Sequence, residues 1–479
     1  MKALHRILAC ALVSLLLSCG GGGPGGGLGF VASGEGGGVG TGGTGILLAS
    51  GIVAGTVTGL GSVIIDGTRF DDSQAALESR PDLVTPAPLG LADLQVGQYA
   101  YVDLDAAATP VRVRIASQLV GSAADVSTGA GRFTVWGQAV VVNTDATRGP
   151  VTVLAGYGSF AELRAGDPVQ VYGVLQAADG AGELVRASRI EKLSAVAALP
   201  ARLTGTLQQG AGGTLLLAGR PLDLGAAAAP AGLAAGTAVT AVVPWTATLP
   251  ARWQASAVAL LAPAAATQLQ VSGAVHLLPG GGAVVQGVAV DTSALSPSDR
   301  DALREGSYIT VDGRSRGDDG RNAVAAAVQA VPQGGRDTQL SGAITAITAP
   351  GLFVVRGQAV DASSAQFDKG SAASLVVGRY VEVDGVQTAS GVRARKVSVP
   401  DAPPDRAVLE VTGVVKSTDA TAREVVVQDN SGVSTLLVLP AGTALPAVGQ
   451  TVRAEGYWDG TALQVREIEL RQDHSGPGR

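Results

Sequence analysis

The residues that could do chemistry are few and poorly spaced for it. The chain has three histidines and two cysteines among 479 residues. His5, Cys10 and Cys19 lie near the start, which leaves His276 in an apparent strand and His474 near the end. A nucleophile relay needs an imidazole within hydrogen-bond reach of a hydroxyl or thiol. A tetrahedral metal site needs three or four His or Cys ligands. Neither can be assembled here, and His276 reads as an ordinary strand residue. Paired carboxylates can divide acid and base roles without histidine. The candidates are Asp71–Asp72, Asp318–Asp319 and Glu467/Glu469. The first two stand in turns beside Arg or Gly, and the third lies on one face of a terminal strand, so solvated surface explains each. Asp318-Asp319-Gly320-Arg321-Asn322 lacks the spaced acidic ladder of a calcium loop. Gly59-Leu60-Gly61 runs into a strand, not into the helix that a dinucleotide site requires. No catalytic residue, metal ligand or cofactor is therefore expected, and the chain is read as a non-enzyme. A carboxylate-based hydrolase is the remote alternative.

Binding chemistry has slightly better material. Sugar recognition uses exposed aromatic faces as stacking platforms, and aromatics make up only 4% of the chain. Trp136 follows Phe133 and Val135 and is expected to point away from Val135. Arg356 occupies the same place in a second copy of the motif, Phe353-Val354-Val355-Arg356-Gly357-Gln358. Trp136, Arg356 and Trp458 are the candidate binding residues, but a barrel-end or inter-repeat contact is the favoured role for Trp136. The net charge of −6 gives no general attraction to phosphate backbones, so no nucleic-acid partner is expected.

What must position these residues is a repeat of about 60 to 75 residues. Its clearest copy is Gln339–Val399. There Leu340–Ile347 and Leu352–Val360 read as a hairpin broken by Ala349-Pro350-Gly351. Arg379–Asp384 then alternates, and Gly391–Val399 closes the unit. A glycine followed by apolar residues at the third and fifth places recurs as Gly97, Gly166, Gly236, Gly306, Gly378 and Gly449. A second marker pairs Phe133–Val140 with Phe353–Val360. A third, two apolar residues three apart, ends the units at Ala187/Ile190, Ala255/Val258, Ala325/Val328, Ala394/Val397 and Val465/Ile468. That step of three breaks strand alternation and predicts a bulge. Asp-Gly pairs at 66/67, 179/180, 312/313, 384/385 and 459/460 read as hairpin turns.

Small sheets leave edges that must close or be covered. The expected fold is therefore all-β: a tandem array of about six small antiparallel, OB-like, five-stranded barrels. The units are 48–118, 119–193, 202–261 (divergent and rich in Ala and Pro), 268–331, 338–399 and 408–470, with 471–479 a disordered tail. Breakers between the units favour separate beads on a chain over one large core.

The chain opens with Lys2 and Arg6 and an apolar run, Ile7–Leu17, too short to span a bilayer. Leu16-Leu17-Ser18-Cys19-Gly20 resembles the bacterial lipoprotein signal. That resemblance implies cleavage after residue 18, acylation of Cys19, and, with Gly20 rather than Asp, sorting to the outer membrane of a Gram-negative bacterium. Cleavage would leave Cys19 as the lone cysteine, which cannot form an internal disulfide. Residues 19–47 then form a Gly-rich linker, too poor in apolar surface to fold, with an r.m.s. span of about 30 Å for its central 26 residues. Gly51–Phe70, with its G-x-V-T-G-x-G-S-V-x-x-D-G-x-x-F pattern, resembles a domain of unknown function repeated in exported lipoproteins of Gram-negative bacteria. The resemblance implies no activity. Together these features predict a lipid-anchored interaction or spacer module of the cell envelope, its partner an envelope protein or a glycan. A glycan- or envelope-polymer-binding protein is the alternative.

Overall fold

The computed structural model describes residues 50–471, apart from 73–74, 91–92, 179–181, 226, 247, 264–267, 279–281, 317–321, 331–336, 378, 401–408, 429–433, 441 and 459–461. The signal segment, Cys10, Cys19, the Gly-rich linker, Asp318–Asp319 and His474 lie outside the described residues.

The fold is all-β, built of small five-stranded barrels. Repeat six shows the unit most plainly. Its strands are Leu409–Asp419, Glu424–Gln428, Ser434–Val438, Thr451–Trp458 and Leu463–Arg471. They close in the order first, second, third, fifth, fourth and back to the first. Only the third and fifth pair in parallel, through Leu437 and Leu463. Alternation places Val425, Val427, Val452 and Ala454 inside the ring, each fully buried. Repeats two, four and five close the same ring. In repeat one the fifth strand, Pro110–Ile115, pairs instead with Ala76–Ser79, which lies in the inserted segment. In repeat three the parallel partner of the third strand, Arg220–Asp223, is the short Trp253–Gln254.

The recurring glycines have two physical causes. Gly97, Gly166, Gly236, Gly306 and Gly449 all adopt left-handed φ, from 71° to 91°, in the turn that feeds the fourth strand. Gly97, Gly166, Gly306 and Gly449 donate their N–H to the first strand of their own repeat, as Gly166 does to Ala123 and Gly449 to Val415, and Gly236 donates to Leu207, just beyond that strand in repeat three. The second group lies inside the fourth strand. The register slips at Tyr172/Gly173, Asp312/Gly313, Asp384/Gly385 and Glu455/Gly456. The extra residue on the fifth strand lies between the two marker residues, for example Ser188 between Ala187 and Ile190. The bulge expected from the step of three is therefore present. It brings the fifth-strand carbonyl of Arg393 to 2.6 Å from where a Cβ on residue 385 would sit, and the corresponding distance at residue 313 is 2.5 Å. Asp312-Gly313 and Asp384-Gly385 are thus not hairpin turns. Their glycines make room for a neighbouring backbone in mid-strand.

The second strand expected over Leu352–Val360 is two strands, Leu352–Val355 and Gln358–Asp361, folded back at Arg356-Gly357. Both turn residues have positive φ, the type I′ pattern that suits the twist of a hairpin. The same turn occurs at Asp66-Gly67, Trp136-Gly137, Ala218-Gly219 and Gln286-Gly287. At Asp66, Trp136, Gln286 and Arg356 the first side chain lies against a glycine of the first strand. A Cβ at Gly55 would meet Asp66 Oδ2 at 2.2 Å, and one at Gly121 would meet Trp136 Nε1 at 2.2 Å.

Repeats one to five are not beads. The first strand of repeat one runs parallel to that of repeat four, Gly51–Ala54 against Gln268–Val271. Its far end runs parallel to repeat five, Gly59–Leu60 against Gln339–Leu340. Val120 of repeat two bridges Arg202 of repeat three. Repeats one and five share one apolar cluster, and repeats two and three share another. Ile52, Tyr99 and Tyr101 of repeat one pack into the cluster of repeat four. Each fully buried large side chain contributes roughly 1.5–3 kcal/mol, so these outward-facing residues favour joining over separation. The Pro, Gly and Ala connections that suggested beads report only on the local chain. Repeat six has a cluster of its own.

Candidate functional site

Several polar side chains of repeats one to five bond across the joints between repeats. Asp66 is held in left-handed backbone by its hairpin turn, and its side chain lies over Gly55. Its carboxylate accepts the Thr56 N–H at 2.9 Å. The Tyr308 hydroxyl of repeat four lies 3.0 Å from Oδ1 and 3.1 Å from Oδ2. Tyr308 is also 3.1 Å from the Thr56 hydroxyl. Burial pushes the Asp66 carboxyl up to about 6, against these donors, which favour the ionised form. Beside it, the Tyr99 hydroxyl donates to the Ser272 carbonyl at 3.0 Å, and Tyr101 donates to that of Leu261 at 2.9 Å.

Other joints use the same device. Gln286, the turn residue of repeat four, accepts the Leu175 N–H at 3.0 Å and donates to the Gly173 carbonyl at 3.3 Å. It therefore caps the bulge of repeat two. Arg186 of repeat two donates to the Gly306 carbonyl at 2.8 Å and to Gln176. Gln95 of repeat one donates to the Arg356 carbonyl and accepts from Gln358 of repeat five.

A cavity of about 460 Å³ lies where repeats one, two, three and five meet. Its lining includes Asp93 and Gln98 of repeat one, Gln170, Tyr172 and Glu191 of repeat two, Leu199 and Arg202. Arg202 stands in the first strand of repeat three, Ala201–Thr206, and is 5% exposed. Its guanidinium donates to Ser117 O and Oγ, both at 3.2 Å, to Arg80 O at 2.5 Å and to Pro81 O at 2.8 Å. All four acceptors are neutral, and its buried Nε has no hydrogen-bond partner. Burial pulls its pKa down to about 10, which leaves it cationic at neutral pH. Nearby Arg189 is neutralised by Glu191. Burial, and then the charge on Glu191, push the Tyr172 hydroxyl well up.

The residues singled out from sequence fall differently. Trp136 is 6% exposed. Its Nε1 donates to the Val120 carbonyl at 2.7 Å, and its ring meets Trp245 and Trp253 of repeat three edge-on at 5.6 and 6.3 Å. It is an inter-repeat contact with no face open for stacking. Arg356 occupies the equivalent turn, half-buried, near Asp72, whose carboxyl is raised by burial. The backbone of Trp458 pairs with Leu463 in repeat six. His276 is exposed in the first strand of repeat four, 3.3 Å from Glu305. Glu467 and Glu469 are exposed, and Glu469 lies 3.8 Å from Arg453. Among the described residues no three His, Cys, Asp or Glu side chains gather as a metal site.

Arg202 and Asp66 were missed from sequence. Arg202 had a readable signal. A polar residue stands three places before the first-strand glycine in repeats two to six, as Gln118, Arg202, Gln270, Gln339 and Glu410. Only in repeat three is it a cation.

No curated protein matches the chain. A family model described as Domain of unknown function (DUF5666) matches residues 121–191 and 341–398, which hold the barrels of repeats two and five. The chain therefore carries this domain of unknown function in two places, each a closed five-stranded barrel.

Proposed function

We propose that the protein is a non-enzymatic interaction and spacer module of a Gram-negative cell envelope, held at the outer membrane by acylation of Cys19. The apolar run before Leu16-Leu17-Ser18-Cys19 and the lone cysteine left after cleavage support the anchor. More than one acyl chain makes such anchoring stable. No helix among the described residues is long and apolar enough to cross a membrane.

The observation that carries the reading is the use made of the polar side chains. Asp66, Tyr308, Gln286, Gln95 and Arg186 all bond between repeats. Their joint effect is a stiff five-barrel body, suited to holding a surface at a fixed distance from the anchored N-terminus.

The test combines palmitate labelling with protease shaving of intact cells. Labelled wild-type protein in the outer-membrane fraction, with C19A unlabelled and released, is the expected result. C19A that fractionates like wild type would overturn the anchor. Digestion of intact cells would direct the search to outside partners, and protection until the outer membrane is broken would direct it to periplasmic ones.

A further inference from the structure

We propose that the cavity between repeats one, two, three and five binds a neutral sugar, a hexose unit held through its hydroxyls. This goes beyond the spacer role and stands whether or not the chain is anchored. The volume of about 460 Å³ falls within the span typical of small-molecule sites, roughly 300–1,000 Å³.

The floor of the cavity is one row of side chains across four strands. Register places Arg202 beside Val120, Val120 beside Gln170, and Gln170 beside Glu191. Residues directly opposite on neighbouring strands share a face, and all four of these line the cavity. The roof comes from the inserted segment of repeat one, which folds as the hairpin Ala76–Ser79 and Ala87–Pro88 and brings Ser79 and Leu89 to the cavity.

The charges around this space balance. Arg202 has spent its terminal N–H groups on Ser117, Arg80 and Pro81 oxygens. The Asp93 carboxylate offsets its charge across the same cavity, and Glu191 is paired with Arg189. A net charge on the ligand would therefore enter a partly dry site unbalanced, which is costly. Hydrogen-bonding capacity is what remains open. The side chains of Ser79 and Gln170 make no hydrogen bond among the described residues. Asp93 uses Oδ2 to accept the Gly90 N–H at 2.8 Å, and Glu191 uses Oε1 for Arg189, which leaves each a second oxygen. Open acceptors thus outnumber donors, and a ligand rich in hydroxyls and without charge matches them. Leu89, Ile115 and Leu199 supply apolar surface for the CH groups of the ring.

The experiment is titration calorimetry of the purified full chain with neutral glucose, galactose and N-acetylglucosamine, beside cationic glucosamine and anionic glucuronate. At least one neutral sugar is expected to bind one to one, with both charged sugars at least about tenfold weaker. Q170A removes a half-buried amide that makes no other bond, so it should weaken the neutral sugar about fivefold, the size of one hydrogen bond, with an unchanged unfolding midpoint. L199W provides a second variant. Leu199 is half-buried at the cavity wall, so the indole should fill the space and abolish binding by the folded protein. No binding of any neutral sugar at millimolar concentration, equal binding of glucuronate or glucosamine, or full binding by folded L199W would each overturn the proposal.

Discussion

The Tyr308 hydroxyl lies 3.0 Å from one carboxylate oxygen of Asp66 and 3.1 Å from the other, across 242 residues of chain. Tyr308 is buried and Asp66 half-buried, and each comes from a different barrel. The pair is a bolt between repeats one and four, because the buried hydroxyl cannot recover a water partner without opening the joint.

Removing the hydroxyl should loosen that joint. Y308F leaves the Asp66 carboxylate with fewer donors, which typically costs about 1–3 kcal/mol. Urea unfolding followed by tryptophan emission should show a lower midpoint. An unchanged midpoint would mean that the joint is held by apolar packing alone.

Asp66 also gives the joint a pH dependence of definite sign. Its folded pKa is raised to about 6, above the ordinary carboxylate value, chiefly by burial. A raised folded pKa contributes stability that is complete below the unfolded value and lost as pH rises through about 6. D66N keeps the turn, since Asn tolerates the left-handed backbone, and removes this titration. The thermal midpoint of wild type relative to D66N should therefore fall between pH 5 and pH 7. Parallel curves for the two proteins would show that Asp66 does not titrate in this range.

Gly121 has no room for a side chain, because a Cβ there would meet Trp136 Nε1 at 2.2 Å. G121A should displace the indole from Val120 and from Trp245 and Trp253. A loss of roughly 1–3 kcal/mol, the usual range for overpacking, should come with a shifted tryptophan emission spectrum. A variant with both properties unchanged would contradict the packing described between repeats two and three.

Repeat six closes its ring within itself and has its own apolar cluster. Calorimetry of the full chain should show two transitions, and a stop codon after Val399 should remove one of them while the other stays in place. A single transition lost as a whole on truncation would show that the six repeats fold as one unit.

Much of the barrel was legible. The left-handed glycine before the fourth strand and the step of three in the fifth strand are local demands of one chain segment, so residue spacing recorded them. The Arg356-Gly357 hairpin was misread as continuous strand, because Arg in a positive-φ position leaves no compositional mark. Asp384-Gly385 was misread the other way, since a bulge and a turn can use the same dipeptide. The Arg202 cavity was not legible. Its walls come from four repeats, and Ser117 and Arg80 lie 85 and 122 residues from Arg202.

The sequence by itself determined the unit: its length, its all-β character, its turns and its bulge. Those features follow from steric and hydrogen-bonding rules acting over a few neighbouring residues. Only the tertiary structure decided how the units meet. Trp136 could have served as a surface platform or an inter-repeat contact, and only the docking of repeat three settles the second; Asp66 looked like a simple turn residue until Tyr308 reached it. Contacts between surfaces far apart in the chain leave no periodic trace. They depend on the shape and burial of both partners at once, which no single stretch of sequence specifies.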